Sequence, residues 1–359
     1  LLGYVYLHLG NYARALAYNQ EAYTYNRQTG DHNRIAWNLL DIGFLHLKLG
    51  DFAEAEAHLN ESLALAQRIG TRPAEAYALT YLGYWDLYRG DYAAAANRLQ
   101  DALLIQREVH SEHGCVAAEI GMGLAFCRLG ELAQARRQVQ RAVERARSVA
   151  HRRRLAEALI GRGLVEIEAG QPAAALRCLT EAVAVARESE CQESVAAGLA
   201  ALAHAERQLA VNVVPLSDKP RGDLASALKD AREAVQVAQE NTLPVCETWG
   251  EMELGLTLLA QGEIEAALEH TERAVAMVSH IGIKGSPTVC GRQRLPTHEG
   301  WIGTEQIHRA HAQVLQALDH TEAADEQIRL ADAIVEDKAD RIPDAERRRR
   351  YIQFVKRET

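Results

Sequence analysis

The chain has 359 residues and a formal net charge of −9, with 48% hydrophobic and 25% charged residues. That balance excludes a disordered polymer, and the acidic excess argues against broad, non-specific nucleic-acid binding. Six cysteines form no C-x-x-C pair, no apolar run reaches the roughly 18 residues of a membrane span, and no signal peptide is visible. The cysteines read as reduced, buried thiols of a cytoplasmic protein. Only eight prolines stand against abundant Ala and Leu, which favours helices. The opening "LLGYVYLHLG" lacks Met and already follows a helical pattern, and we read the chain as a fragment without its natural N-terminal part.

Turn signals set the order of elements. Gly10-Asn11-Tyr12, Gly50-Asp51-Phe52, Gly90-Asp91-Tyr92, Gly130-Glu131-Leu132 and Gly170-Gln171-Pro172 recur every 40 residues. A polar insertion, "VNVVPLSDKPR" (211–221), displaces the next turn to Gly222-Asp223-Leu224. Gly262-Glu263-Ile264 follows 40 residues later, and a Gly/Pro-rich loop (281–301) delays the last turn to Asp319-His320-Thr321. Small residues keep the same beat. Gly3, Gly43, Gly83, Gly123, Gly163, Gly255 and Ala312 lie seven positions before the turns, and Ala203 lies seven before position 210, where the sixth turn falls without the insertion. Ala15, Ala55, Ala95, Ala135, Ala175, Ala227, Ala267 and Ala324 lie five positions after them. Small side chains at fixed intervals let two helix axes approach closely, so each unit reads as helix A, a tight turn, then helix B.

This pattern resembles the tetratricopeptide repeat. The 40-residue period is closer to the long-helix variant of kinesin light chains and MalT-type bacterial regulators. The resemblance implies an all-α, right-handed α-α superhelix of about eight helix-turn-helix units in one solenoid over 1–340. The expected units are 1–32, 33–72, 73–112, 113–152, 153–192, 193–244 (containing the insertion), 245–284 and 302–340. A loop at 285–301 and a C-terminal capping helix at 341–359 complete the chain. A helices are expected to line the concave groove and B helices the convex face.

The third unit holds an aromatic stripe. Tyr77, Tyr81, Tyr84 and Tyr88 are spaced to form one continuous helix face. The equivalent positions one unit earlier are Trp37, Asp41, Phe44 and Lys48, and one unit later Ala117, Gly121, Leu124 and Arg128. A core register would stay apolar, whereas this one changes from aromatic to small to charged. We read it as the groove side of helix A, and Leu79, Leu82 and Gly83 as the core of that unit. Tyr92 shares a register with Tyr12 and Phe52 and reads as turn packing. Fifteen of the twenty aromatic residues precede position 93, a concentration suited to a binding hot spot and equally to packing between successive A helices. The candidate partner-binding residues are Trp37, Phe44, Tyr77, Tyr81, Tyr84 and Tyr88, with Lys48 and Arg128 available for an acidic group.

Other motifs carry less. Arg89-Gly90-Asp91 and Arg221-Gly222-Asp223 spell the cell-adhesion tripeptide but fall on the repeat turn, where Gly supplies turn geometry and Asp can cap helix B. Gly121-Met122-Gly123 and Gly161-Arg162-Gly163 are mid-helix, with no preceding strand for a phosphate loop. "HSEHGC" groups His110, His113 and Cys115, too few ligands for zinc. No acid–base or nucleophile set stands out, so no catalytic residue, metal or cofactor is assigned. The chaperone-tail clamp of some of these repeats needs basic residues where the third unit has tyrosines.

The chain ends in "RIPDAERRRRYIQFVKRET", whose Tyr351, Ile352 and Val355 can seal the last repeat beneath a solvated basic face. Arg341, Ile342, Asp344, Glu346, Arg348, Arg349, Tyr351, Ile352 and Val355 also resemble the close of repeat arrays in large bacterial signalling proteins with a STAND-type NTPase upstream. The reading is a cytoplasmic, non-enzymatic sensor or scaffold arm. Its partners would be a protein or peptide segment, or a small inducer, in the groove and an N-terminal effector domain of the same chain, with no direct nucleic acid and no membrane. The alternative is an autonomous peptide-binding regulator or assembly scaffold. The insertion and the loop are further partner candidates.

Overall fold

The structure is a computed structural model and describes residues 2–8, 11–211, 224–282, 288–289, 292–293 and 303–356. The turn residues Gly10, Gly222 and Asp223, the insertion after Val211, and the loop 285–301 apart from its two short strands lie outside the described residues.

Seventeen helices follow one another among the described residues. They are α1 (Leu2–His8), α2 (Tyr12–Thr29), α3 (His32–Leu49), α4 (Phe52–Ile69), α5 (Arg72–Tyr88), α6 (Tyr92–Glu108), α7 (Glu112–Arg128), α8 (Leu132–Ser148) and α9 (Arg152–Glu168). The series continues with α10 (Pro172–Glu188), α11 (Gln192–Val211), α12 (Leu224–Glu240), α13 (Pro244–Gln261) and α14 (Ile264–Gly282). It ends with α15 (Thr304–Ala317), α16 (Thr321–Asp340) and α17 (Ala345–Val355). Odd-numbered helices up to α15 are A helices and even-numbered ones B helices. Between α14 and α15, β1 (Thr288–Val289) and β2 (Arg292–Gln293) form a two-residue antiparallel ladder, the one departure from an all-α chain among the described residues.

The repeat turns have the geometry that their glycines imply. Gly50, Gly90, Gly130, Gly170 and Gly262 all take left-handed backbone angles, φ 67 to 86°. At Gly50 the next amide, Asp51 N, bonds back to His46 O at 2.9 Å, which caps α3. Asp91 does not cap α6 with its side chain. Its carboxylate instead lies 3.4 Å from Arg341 near the end of the chain.

The small-residue registers are the helix–helix contacts. A Cβ at Gly83 would lie 2.5 Å from Leu99 Cγ, so α5 and α6 cross with no room for a side chain. The alanines five positions after the turns are all fully buried, and Leu82 is 1% exposed. Leu79 is half-buried, not core. Tyr92 is 1% exposed and packs as expected.

The array coils until distant units touch. Tyr12 Oη and Lys48 Nζ, from the first and second units, both donate to Glu193 of the sixth at 2.6 Å. Near the chain end, Lys338 on α16 places its ammonium 5.7 Å from the Tyr92 ring centroid, and Tyr351 on α17 lies 6.0 Å from the same ring. Arg347 pairs with Glu131, and Arg341 donates to the Arg89 carbonyl. The basic tail is therefore not simply a solvated face. The turns of the third and fourth units are acidic or present carbonyls, and part of the tail docks against them. Tyr351 and Val355 are buried as expected of a cap, and Ile352 is half-buried.

Candidate functional site: an aromatic groove

The A helices enclose a cavity of about 400 Å³. Its wall comes from α1, α3, α5, α7, α9 and α11, with His151 at the N-cap of α9. Successive A helices present the same register to one concavity, because each unit repeats the rotation of the one before. Trp37, Phe44, Lys48, Tyr77, Tyr81, Tyr84 and Tyr88 all line it. Tyr77, Tyr81 and Tyr84 are half-buried, whereas Tyr88 is only 8% exposed.

The rings are held by one another and by backbone. Tyr81 stacks on Phe44 with centroids 4.3 Å apart, and Tyr77 lies 5.8 Å from Trp37. Tyr84 Oη donates to the Ala117 carbonyl at 2.9 Å, across to α7. Tyr77 Oη is 3.2 Å from Ser111 Oγ. Burial raises the Tyr81 hydroxyl to about 12 and pushes those of Tyr84 and Tyr88 up as well. All three are neutral hydroxyls at physiological pH, able to donate.

Two expectations need correction. Lys48 is not available for an acidic group, because it is paired with Glu193 at 2.6 Å and its ammonium lies 5.4 Å from the Phe44 ring centroid. Arg128 does not line the cavity. It reaches towards Glu168 at 3.5 Å and Gln306 at 3.4 Å, where the fourth and fifth units meet α15. The coiling of the array brings up Glu193 and Gln306, whereas Glu168 comes from the unit next to that of Arg128.

Sequence reasoning missed the charged far wall. Arg154 donates to Glu157 at 2.6 Å and Arg153 to the same carboxylate at 3.1 Å, with Arg153 also 3.9 Å from Glu193. Burial alone would raise Glu157, but Arg154 and Arg153 overcome it and hold the carboxyl at about 2. Glu193 is likewise held low against burial by Lys48 and Arg153. Glu157 does fall on the stripe register, two units after Tyr77, which is the signal that could have found it. His113 and His151 complete the rim with ring centroids 4.6 Å apart, and burial lowers His151. Cys115, grouped with His113 in the sequence, is buried elsewhere in the core.

Asp41 differs from the other carboxylates. Burial lifts it from 3.8 to about 7, against a smaller lowering by the amino group at the start of the chain. The folded chain thus holds this proton more tightly than the unfolded chain does. That contribution to stability is complete below about pH 4 and is lost as pH rises through about 7. Asp41→Asn should therefore stabilise the array at pH 8, by on the order of 2 kcal/mol once the open groove is allowed for. It should have no effect at pH 4. Urea melts at the two pH values check this, and equal shifts at both would contradict it.

The model of the tetratricopeptide repeat matches residues 1–68, 34–108 and 115–188, together just over half of the chain. The chain belongs to the tetratricopeptide repeat family. A short match to the model of anaphase-promoting complex subunit 5 covers 216–249. No curated protein sequence matches. Among solved structures, the tetratricopeptide array is similar to the Rap conjugation gene regulator of plasmid pLS20 in complex with the Phr* peptide. The TM-score is 0.61 at 12% identity, over 94% of this chain and 96% of that one. It is also similar to NprR in complex with its cognate peptide NprX, TM-score 0.57 at 13% identity, over 97% and 91%. A third similar structure is a signal transduction ATPase with numerous domains (STAND) carrying a tetratricopeptide repeat sensor, from Pyrococcus horikoshii. Its TM-score is 0.54 at 13% identity, and the match spans 97% of this chain and 52% of that protein. At these identities the likeness is one of fold. Among the described residues no helix is long and apolar enough to cross a membrane.

Proposed function

We propose that this array recognises a protein or peptide segment in its concave groove and serves as the sensor or scaffold arm of a larger signalling protein. The observation that carries the reading is the aromatic wall. Trp37, Phe44, Tyr77, Tyr81, Tyr84 and Tyr88 come from two successive A helices and meet in one cavity about 400 Å³ in volume. Large, stiff rings with polar tips are the residues that anchor partners. Peptide complexes of two proteins of similar fold, the Rap regulator and NprR, support a peptide as occupant. The similar array in the Pyrococcus ATPase supports the role of sensor arm beside an effector domain.

The mechanism is a population shift. A ligand that touches several A helices at once favours one curvature of the coil, and a linked module feels the change. No catalytic step is assigned to the array.

The purified array should be used as bait in lysate of its own organism, beside a Tyr81→Ala/Tyr84→Ala variant. Circular dichroism must first show the variant folded. The expected outcome is that a partner identified by mass spectrometry is retained by the native groove and lost from the variant. An unchanged set of retained proteins and small molecules would remove the groove from the mechanism.

A further inference from the structure

Each Lys and Arg that lines the groove has a carboxylate partner, Arg153 and Arg154 sharing one. Lys48 faces Glu193, and Arg153 and Arg154 face Glu157. Among the described residues the Asp41 side chain has neither a hydrogen bond nor an ion pair, yet it lines the same cavity. It stands on α3 one turn after Trp37 and just before Phe44, so its carboxylate shares a face with both rings. Across the wall, Tyr77 lies 6.2 Å from Tyr81 and 5.8 Å from Trp37, which makes a run of ring surface beside the carboxylate. The Tyr81 hydroxyl is close enough to feel the Asp41 charge.

A carboxylate drawn out of water without a counter-charge is costly. It becomes favourable when a cation arrives, and rings beside it strengthen that preference because their faces attract positive charge. A hard metal ion would need several oxygen ligands, and no group of three ligand-type side chains stands together among the described residues. An organic cation needs one carboxylate and some ring surface. We propose that the Asp41 end of the groove binds an ammonium or guanidinium group, carried on a basic side chain of a peptide or as a free small amine. This deepens the groove-recognition reading and rests on it.

Isothermal titration of the array with two probes tests the proposal. One is a capped pentapeptide with a central arginine, compared with its citrulline counterpart. The other is free agmatine. At least one cationic probe should bind with a dissociation constant on the order of 1 mM or tighter. For the peptide, citrulline should weaken binding at least tenfold. Asp41→Asn, shown by thermal melting to be folded, should weaken the cationic probe by the same factor. Binding of the peptide alone identifies a side chain as the source of the cation, and binding of agmatine alone identifies a free amine. The proposal is overturned if neither cation binds, if citrulline binds as well as arginine, or if Asp41→Asn binds the cation unchanged. Partner capture separates this failure from failure of the wider reading. Capture lost in Tyr81→Ala/Tyr84→Ala but intact in Asp41→Asn removes the cation subsite and keeps the groove. Capture intact in both removes the groove itself.

Discussion

Glu193→Ala should cost the array about 3 kcal/mol and loosen its coil. Glu193 accepts hydrogen bonds from Lys48 and from Tyr12, both at 2.6 Å, and so ties the first and second units to the sixth. Without it, the Lys48 ammonium is left over the Phe44 ring in a largely desolvated wall with its counter-charge gone. Most of the loss comes from that stranded charge, so a neutral replacement of both partners should be far milder. Lys48→Met with Glu193→Leu is expected to lose much less than the two single variants added together. Urea melts give the energies, and small-angle X-ray scattering gives the radius of gyration. An unchanged radius in Glu193→Ala would show that the remaining contacts hold the coil closed alone.

Lys338→Ala should be at least as damaging, by about 3–5 kcal/mol. Lys338 is fully buried and pairs with Glu305, itself 3% exposed. The ammonium also faces the Tyr92 ring, and the stem of the side chain packs over Gly90. Burial opposes ionisation of Glu305, but Lys338 wins and holds its carboxyl below the usual range. A lowered carboxylate stabilises the fold above its unfolded value and stops doing so as pH falls through its folded value. The penalty of Lys338→Ala should therefore be full at neutral pH and shrink in acid. Denaturant melts at pH 7 and pH 3 measure it. A penalty independent of pH would mean that lost packing of the lysine stem, not the stranded carboxylate, is the cause.

The repeat was readable because its cause is local. A glycine at a left-handed turn and an alanine between crossing helices are required wherever the motif occurs, so a fixed period exposes them. The stripe from Tyr77 to Tyr88 was readable for the converse reason. Its register varies from unit to unit while the core registers do not. Lys48 and Arg128 were misread because their partners, Glu193 and Gln306, stand 145 and 178 residues further along the chain. A window of one or two units contains the other partner of Arg128, Glu168, 40 residues on, but neither Glu193 nor Gln306. The docking of α17 on Glu131 and Tyr92 was hidden in the same way, since it depends on how far each unit rotates on the last. That small angle summed over several units decides which turns meet.

The closure through Glu193 also has a consequence in time. A repeat array is ordinarily able to build itself one unit after another from the end that is synthesised first. Here the wall that carries Trp37 and Lys48 is translated 145 residues before the carboxylate that completes it. At ~5–20 residues per second, the ribosome needs roughly seven to thirty seconds to cover that distance. During that interval the aromatic helices exist, but the chamber they belong to does not. The groove proposed above is therefore incomplete on a nascent chain until the sixth unit emerges.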